Sequence, residues 1–460
     1  MSYGSGIRRI CMVEMQENRN AGDALLNLMA EGVSGRLKNY LAEMHPADIA
    51  EAMSRMDQDS QKLVFNLLER ERAGEVLATL DGPLRQVFIR AIAEERLVEI
   101  LGDIDSDDAA DVIGELEEET ARRVMDAMPW KEFREVRTLL RHDEETAGGI
   151  MALEIVAVDE NRTAGQALDA LRRKADEVED VYNIYVVDYM GVLKGHIALK
   201  DLVLADQGVK LKDIMDEETV TIHTDMDQED VANLFRKYDF VAAPVVDTGG
   251  RLVGRITVDD VLDVVEEEVR EDMAKMAGIT DEEFGHRSIL KISSIRLPWL
   301  IVAFIGEIIS AKIYEHFVPS INELILASFF VPMIMAMGGN IGIQSSTVMI
   351  RGLVTGDIRL QDAGKRLYQE LSVAFINGLG IALLLFGVAT VWFHNMAFGG
   401  VLGIALLVVL TIAAFFGTMI PLMLKRLGVD PAVATGPFIT TSNDVIGLTV
   451  YFTIIHMMLR

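Results

Sequence analysis

The stretch Gly436-Pro437-Phe438-Ile439-Thr440-Thr441-Ser442-Asn443-Asp444-Val445-Ile446-Gly447-Leu448 lies close to the end of the chain. It belongs to an apolar segment, about residues 432–458, that is long enough to cross a bilayer. A carboxylate in hydrocarbon is costly, so Asp444 requires a bundle interior, a water-filled cavity or a cation. The polar residues before it, together with a helix break at Pro437 and the glycines, would supply oxygen ligands. The stretch therefore predicts the lining of a cation path; the alternative is a protonated Asp444 that joins two helices.

Charge divides the chain of 460 residues into two parts. The formal net charge is −28, and 33 of the 43 basic and 63 of the 71 acidic residues precede residue 291. We expect no nucleic acid partner, because binding it needs basic patches. The acidic part suits divalent cations, although it would also simply keep the protein soluble. With one cysteine, Cys11, there is no disulfide framework. No apolar run follows Arg8 and Arg9, so we expect no signal peptide and a cytoplasmic acidic part.

Residues 22–150, after an N-terminal segment of residues 1–21, have apolar residues at helical spacing, which predicts an all-α domain. The stretch that begins at Met44 resembles the one that begins at Ile104. Such repetition predicts a stacked superhelix. Asp107 and Asp111 share one helix face, where like charges are destabilising unless a cation lies between them. The alternative explanation of these acids is that they cap helices and keep the protein soluble.

Residues 151–258 contain two copies of a strand, a glycine turn, a second strand and a helix start. The same offset separates Val186 from Val245 and Asp201 from Asp260. This order resembles a tandem pair of CBS motifs, in which Ser or Thr ends the second strand and x-x-Asp follows. The second copy has Thr257 and Asp260, and the first has Ala198 and Asp201. The resemblance implies that Thr257, Asp260 and Asp201 are candidate contacts of an adenylate such as ATP. The alternative is that the aspartates cap their helices.

Residues 259–290 predict an acidic connecting helix that leads toward the first membrane span. Apolar residues leave it one packed side, and its acids occur at positions 259, 260, 263, 266, 267, 268, 271 and 272. An acidic rod at the inner mouth of a cation path would act as a gate. An ordinary amphipathic linker helix is the alternative.

Residues 291–460 contain five predicted spans, at about 297–317, 324–350, 370–393, 399–424 and 433–458. We expect Pro332 and the glycine run 338–342 to interrupt the second span. Basic loops alternate with non-basic ones, which places the N-terminus in the cytoplasm and Arg460 outside in a multi-pass protein of the cell membrane. The sequence has no phosphate loop, His-Glu-x-x-His motif or nucleophile elbow, so we expect no enzyme.

Three motifs in the membrane part resemble those of the MgtE family of magnesium channels. They are Gly338-Gly339-Asn340-x-Gly342-x-Gln344-Ser345-Ser346, Gly428-Val429-Asp430-Pro431-Ala432 and Pro437-x-x-Thr440-Thr441-x-x-Asp444-x-x-Gly447-Leu448. The resemblance covers nearly the whole chain. It implies a multidomain fold, with an all-α N-terminal superhelical domain, an α/β tandem CBS pair, a connecting plug helix and an α-helical membrane domain with five spans. It also implies a homodimer with one central pore in the lipid bilayer.

The resemblance further implies which residues bind metal. The family's pore aspartate falls on Asp444, with Asn340 near it, and holds a largely hydrated Mg²⁺, an ion that dehydrates reluctantly. Asp430 falls at the inner mouth of the pore. In the family, cytosolic Mg²⁺ bridges acidic surfaces and shuts the pore. The matching acids are Asp107, Asp111, Asp227, Glu229, Asp239, Asp260, Asp263, Glu268, Glu271 and Asp272.

Two alternatives stay open from the sequence. Ile343 stands where the family's commonest form has Asn, so the cargo could be another divalent cation such as Co²⁺ or Zn²⁺. From a different class, the chain could be a CBS-containing sensor of adenylates or ions that has no pore.

Overall fold

The structure is a computed structural model that describes residues 25, 34–80, 82–175, 178, 181–277, 279, 289–317, 322–354, 358, 362–431 and 437–458. Backbone contacts divide the chain into two units, Met1–Glu267 and Glu268–Arg460. The boundary falls inside one helix, so the first unit holds the start of that helix and the second unit holds its end.

The first unit has, within the described residues, nine helices before its first strand, and their starting positions are equally spaced along the chain. They are α1 (Ser34–Glu43), α2 (Pro46–Ser54), α3 (Gln58–Leu67), α4 (Arg70–Thr79), α5 (Gly82–Ile89), α6 (Glu94–Leu101), α7 (Ser106–Gly114), α8 (Glu118–Ala127) and α9 (Trp130–Leu139). The prediction of a helical region is confirmed. The sequence repeat relates α2 to α7, which begin at Pro46 and Ser106.

These helices pack in alternation, α2 on α4, α4 on α6, α6 on α8 and α7 on α9. Ile49, Phe65 and Leu77 are among the fully buried side chains of this core. Burying a side chain of that size stabilises the fold by about 1.5–3 kcal/mol. A Cβ on Gly74 of α4 would overlap Ile104 Cγ2, so glycine permits close packing there. The apolar stripe of each helix therefore sets which helices meet.

Two three-stranded sheets follow, each with its middle strand parallel to the first and antiparallel to the third. Their strands are β1 (Ala157–Asp159), β2 (Asn183–Val187), β3 (Leu193–Ala198), β4 (Ile222–His223), β5 (Ala242–Val246) and β6 (Leu252–Thr257). The number of residues from the start of β2 to the start of β5 equals the number from the start of β3 to the start of β6, which confirms the constant offset between the two copies. Gly191 (φ 80°) and Gly250 (φ 73°) make the turns in the left-handed region, which glycine adopts without steric cost.

Four α-helices and a short 3₁₀ turn accompany the sheets. They are α10 (Ala164–Lys174), α11 (Leu199–Leu204), the turn Leu211–Asp213, α12 (Gln228–Tyr238) and α13 (Val258–Ala277). Helix α13 contains residues 259–277 of the predicted acidic connecting helix. Residue 278 and residues 280–288 of that prediction lie outside the described residues, and residues 289 and 290 begin the next helix.

The second unit contains, after the end of α13, six further helices within the described residues. They are α14 (Ile289–Phe317), α15 (Asn322–Ser328), α16 (Val331–Val354), α17 (Ala363–Phe393), α18 (Met396–Arg426) and α19 (Pro437–Met458). Four described helices, α14, α17, α18 and α19, are long and apolar enough to cross a membrane. Helix α16 has 24 residues, but small and polar residues occupy its centre. The structure thus shows four candidate spans where the sequence predicts five.

Helix α18 is the centre of the second unit. It packs against α16, α17 and α19, whereas α14 packs against α19. A Cβ on Gly417 of α18 would overlap the carbonyl oxygen of Gly342 in α16. Small residues let membrane helices approach to backbone contact, which is a main source of their association.

One expected helix break, at the glycine run 338–342, is wrong. Helix α16 continues through Gly338 and Gly342, and the actual break precedes Pro332, at the turn between α15 and α16. Helix α19 is continuous, with Pro437 as its first residue, where the missing N–H interrupts no helical hydrogen bond. Residues 432–436 lie outside the described residues.

Candidate functional site

Close packing of α19 against two neighbouring helices fixes the position of Asp444. A Cβ on Gly342 of α16 would overlap Asn443 Nδ2. A Cβ on Gly306 of α14 would overlap Thr441 Cγ2. Only glycine fits at these approaches, so the residues just before Asp444 are held between α14 and α16.

Asp444 lines a cavity of about 330 Å³ together with residues of α14 and α16. Its side chain is half-buried, and Glu307 of α14 lines the same cavity. Ser310 also lines the cavity; it is 7% exposed, and its Oγ has no hydrogen-bond partner among the described residues. The cavity thus collects oxygen groups, which hard divalent cations prefer as ligands.

Helix α16 places the predicted pore residue Asn340 on its exposed side. Gln344, one turn later, is also exposed, and Ile343 between them is 40% exposed. Ser345 and Ser346 instead point inward and are buried. Between residues 340 and 344, the exposed side chains of α16 are therefore two amides and Ile343.

Asp430, which follows α18, accepts a hydrogen bond of 2.6 Å from Lys275 Nζ at the end of α13. Lys275 also pairs with Glu271, at 2.8 Å. Burial lowers the pKa of Lys275, but the hydrogen bonds to both carboxylates outweigh that effect and raise the pKa above its ordinary value. Burial and then the charge of Asp430 raise the pKa of Asp272 to about 6. The end of the acidic helix thus faces Asp430, with one lysine among several carboxylates.

In the first unit, the acids at the start of α7 face the start of α13. Burial and then the charge of Asp260 raise the pKa of Asp107 well above its usual range. Burial, followed by the charges of Asp111 and Asp260, raises the pKa of Asp108 to about 7. These carboxylates are half-buried and lie close enough to raise one another's pKa.

Two arginines offset part of this charge. Arg255 is buried, and its Nη2 lies 3.9 Å from Asp105 Oδ2. Arg85 pairs with Glu115 at 2.5 Å.

Asp260 accepts hydrogen bonds from the backbone N–H of Thr257, at 3.0 Å, and from its Oγ1, at 2.7 Å. These bonds hold the first turn of α13, so the capping interpretation applies at Asp260. The equivalent Asp201 is exposed and lies 3.7 Å from Lys200 Nζ. Ala198 provides no side-chain cap there. The adenylate contacts stay a prediction.

The remaining predicted ligands lie at the ends of helices. Asp227 caps α12 by accepting a hydrogen bond of 2.9 Å from the N–H of Glu229. Asp239 ends α12 with φ of 54°. Asp263 is exposed on α13. Across the described residues, no three His, Cys, Asp or Glu side chains are grouped so as to hold a metal ion. Pairs and single carboxylates suit an ion that keeps most of its water, as Mg²⁺ does.

Three residues at these sites are absent from the sequence-predicted ligands. The i,i+4 spacing of Lys275 and Glu271 can be seen in the sequence, but the contact of Lys275 with Asp430 depends on the fold. Asp108 is adjacent to Asp107 and had the same signal. Glu307 is a carboxylate inside a span, which by its cost alone indicates a functional position.

Three family models match the chain. The MgtE divalent cation transporter model matches residues 331–454, the model of the MgtE intracellular N domain matches residues 44–145, and the CBS domain model matches residues 211–267. All three matches fall in the regions that the sequence motifs indicated.

Two relatives are similar over most of their length. The magnesium transporter MgtE of Thermus thermophilus is 35% identical over 95% of this chain and 98% of its own length. The magnesium transporter MgtE of Enterococcus faecalis is 37% identical over 72% of this chain and 73% of its own length.

Solved structures resemble the acidic part. The cytosolic domain of the Mg²⁺ channel MgtE in complex with ATP is 39% identical, with a TM-score of 0.51, over 53% of this chain and 99% of that chain. The soluble part of a magnesium transporter is 27% identical, with the same TM-score of 0.51, over 55% of this chain and 99% of that chain.

A helical domain, a CBS pair and a set of apolar helices with a carboxylate-lined cavity define a membrane protein of the cation transporter class. The chain belongs to the MgtE family. The resemblance drawn from its motifs is confirmed.

Proposed function

We propose that this chain transports Mg²⁺ across the cell membrane along a path lined by Asp444. The observation that carries the proposal is the position of Asp444, half-buried at a cavity on a membrane-spanning helix, in a chain 35% identical to a magnesium transporter. One carboxylate with neighbouring oxygen groups suits a largely hydrated Mg²⁺. An inside-negative potential favours entry by about 2.3 kcal/mol per charge per 100 mV. Uptake therefore needs no ATP hydrolysis, and we propose no enzymatic activity.

We also propose that α16 is the fifth span, with the N-terminus in the cytoplasm. Its length of 24 residues supports this, because about 20 residues cross a bilayer. Its polar face would then line the path rather than contact lipid. The basic loops support the orientation. The same proposal includes the domain limits, which are 1–21, 22–150, 151–258, 259–290 and 291–460.

A homodimer with one central pore accords with the exposure of α14. Phe304, Ile305 and Ile308 on this helix are all exposed in the single chain. Lipid would cover some of this surface, and a second copy of the chain would cover the rest. The exposed amides of α16 would then face the pore.

The gating part of the proposal rests on the two acidic regions. Carboxylates ~4 Å apart at an effective dielectric of ~20 repel by roughly 4 kcal/mol. Surfaces that carry several such pairs close only when cations neutralise them. High cytosolic Mg²⁺ would then favour the closed form by binding it more tightly than the open form. The acids proposed to act in this way are Asp107, Asp111, Asp227, Glu229, Asp239, Asp260, Asp263, Glu268, Glu271, Asp272 and Asp430.

For the CBS pair we propose adenylate binding at Thr257 and Asp260, with Asp201 in the other copy. The relative solved with ATP supports this, since it is 39% identical over 53% of this chain. Thr257→Val should weaken ATP binding, measured by calorimetry on the full chain, whereas Asp201→Asn should matter less because Ala198 brings no hydroxyl. Equal affinity in wild type and Thr257→Val would remove Thr257 from the proposal.

Transport of another divalent cation is the competing function, and exposed Ile343 favours it because the amide of the usual Asn is absent. Uptake into liposomes, with Mg²⁺, Co²⁺ and Zn²⁺ in competition, distinguishes the two. Asp444→Asn should abolish uptake in a folded protein. Glu315→Gln is the control, because Glu315 is exposed and pairs with Lys312 at 2.7 Å. Retained uptake in Asp444→Asn would exclude Asp444 from the path and favour a sensor without a pore.

A further inference from the structure

Glu307 is a second carboxylate at the cavity of Asp444, and the proposed transport path does not use it. We propose that Glu307 and Ser310 form, with Asp444, a two-carboxylate binding position for a divalent cation between α14 and α19. The inference rests on the proposed function, because it adds ligands to the same path.

The packing of α14 against α19 brings the two carboxylates together. The closest approach is between Gly306 and Thr441, where a Cβ on the glycine would overlap Thr441 Cγ2. Glu307 follows Gly306 directly, and Asp444 follows Thr441 by almost one helical turn. Both side chains line the same cavity. A larger residue than Gly306 would separate the pair.

Ser310 provides an independent indication of a ligand. It lies on α14 almost one turn after Glu307 and lines the same cavity. It is only 7% exposed, and its Oγ has no hydrogen-bond partner in the part of the chain that the structure describes. A helical serine commonly donates to the carbonyl four residues earlier, and here it does not. A buried hydroxyl without a partner is costly, so its position suggests that a ligand or its water completes it.

The charge and size of the cavity select a cation. Among the described residues that line it there is no Lys, Arg or His. Lys312, the nearby lysine of α14, pairs with Glu315 instead. The cavity volume of about 330 Å³ is several times the roughly 30 Å³ that one water occupies in the liquid. Two carboxylates and a hydroxyl therefore offer space and oxygen ligands for a divalent cation with part of its water.

The test compares Mg²⁺ uptake by wild type, Glu307→Gln, Asp444→Asn and the control Glu315→Gln, all as full chains in liposomes, over a range of external Mg²⁺. Glutamine keeps the volume of Glu307 and removes its charge, so helix packing is preserved. We expect the half-saturating Mg²⁺ concentration of Glu307→Gln to rise about tenfold, within the range seen when partners of metal sites are removed. Glu315→Gln should match wild type, and Glu307→Asp should lie in between.

An unchanged uptake curve for Glu307→Gln, with uptake abolished in Asp444→Asn, would overturn the inference and leave the proposed function intact. Absence of uptake by wild type would instead refute the proposed function itself. If Glu307→Gln does not fold, Ser310→Ala decides. It should raise the half-saturating concentration about threefold through loss of one hydroxyl contact, and an unchanged value would overturn the inference.

Discussion

Lys275 and Asp430, far apart in the chain, are joined by a hydrogen bond of 2.6 Å. The bond connects the end of the acidic helix α13 to a residue that follows the central membrane helix α18. Glu271 shares the same ammonium group, and Asp272 lies in the field of Asp430. A single lysine thus stabilises an arrangement that carboxylates alone would oppose.

Replacing Lys275 with methionine should weaken the closed form of the proposed channel. The carboxylates of Asp430 and Glu271 would lose their shared positive charge and repel each other. We expect uptake at inhibitory internal Mg²⁺ to increase about fivefold or more, in the range of typical coupling energies. Lys312→Met is the matched control, because Lys312 pairs locally with Glu315. Equal inhibition of the wild type and Lys275→Met would show that this contact has no role in gating.

Neutralising the acids of α13 should also weaken the closed form, but by removing the carboxylates that cations bridge. In the triple variant Glu268→Gln, Glu271→Gln and Asp272→Asn, cations have fewer carboxylates to bridge, so inhibition by internal Mg²⁺ should be lost. Flux measurements against internal Mg²⁺ test this, with the exposed acids Glu117, Glu118 and Glu119 replaced by glutamine as the control. Inhibition that persists in the triple variant would exclude α13 as the gate.

Removing Mg²⁺ should expose α13 to protease. Arg270 is exposed on this helix and is a trypsin site. In the full chain in detergent, millimolar Mg²⁺ should slow cleavage at Arg270 relative to EDTA, because cations hold the acidic surfaces together. An equal ionic strength of KCl should not protect, since screening alone does not bridge carboxylates. Protection by KCl as strong as by Mg²⁺ would refute cation bridging.

The close approach of α18 to α16 should make Gly417 sensitive to substitution. Gly417→Val would force a Cβ against the backbone oxygen of Gly342, and such overpacking costs about 1–3 kcal/mol. We expect a melting temperature several degrees lower for the detergent-solubilised protein. Gly380→Val is the control, because a Cβ at Gly380 meets nothing within 4 Å. A melting temperature equal to that of wild type would show that the helices can separate without cost.

The periodic parts of the fold are readable from sequence because they depend on local pattern. The constant offset between the two CBS copies and the helical region follow from apolar spacing and from glycines such as Gly191 and Gly250. The sequence-based prediction is wrong at Gly338 and Gly342, which were expected to interrupt the helix. There the glycines stay helical, because tertiary packing of α16 on its neighbours outweighs their poor helix propensity.

At the candidate site, too, part of the arrangement can be predicted from the sequence and part depends on the fold. Asp444 could be found from the cost of a charge in an apolar segment. Its position beside Glu307 at one cavity could not be found, because that depends on where two distant helices cross. The same applies to Lys275 and Asp430, whose pairing requires the path of the whole membrane unit. Motifs therefore indicate the residues, and only the fold indicates which of them meet.

The equal spacing of helices α1 to α9 limits how this region can change in length. Because α2, α4, α6 and α8 form one continuous row, loss of a single helix with its connection would move every later helix into the opposite row. Loss of two successive helices would leave every later helix in its original row. We expect a chain lacking residues 58–81 to keep the packing of α6 on α8, whereas one lacking residues 58–69 should unfold this region, as circular dichroism and melting would show. We therefore expect this region to tolerate insertions and deletions only when they add or remove helices in pairs, a constraint that point substitutions do not test.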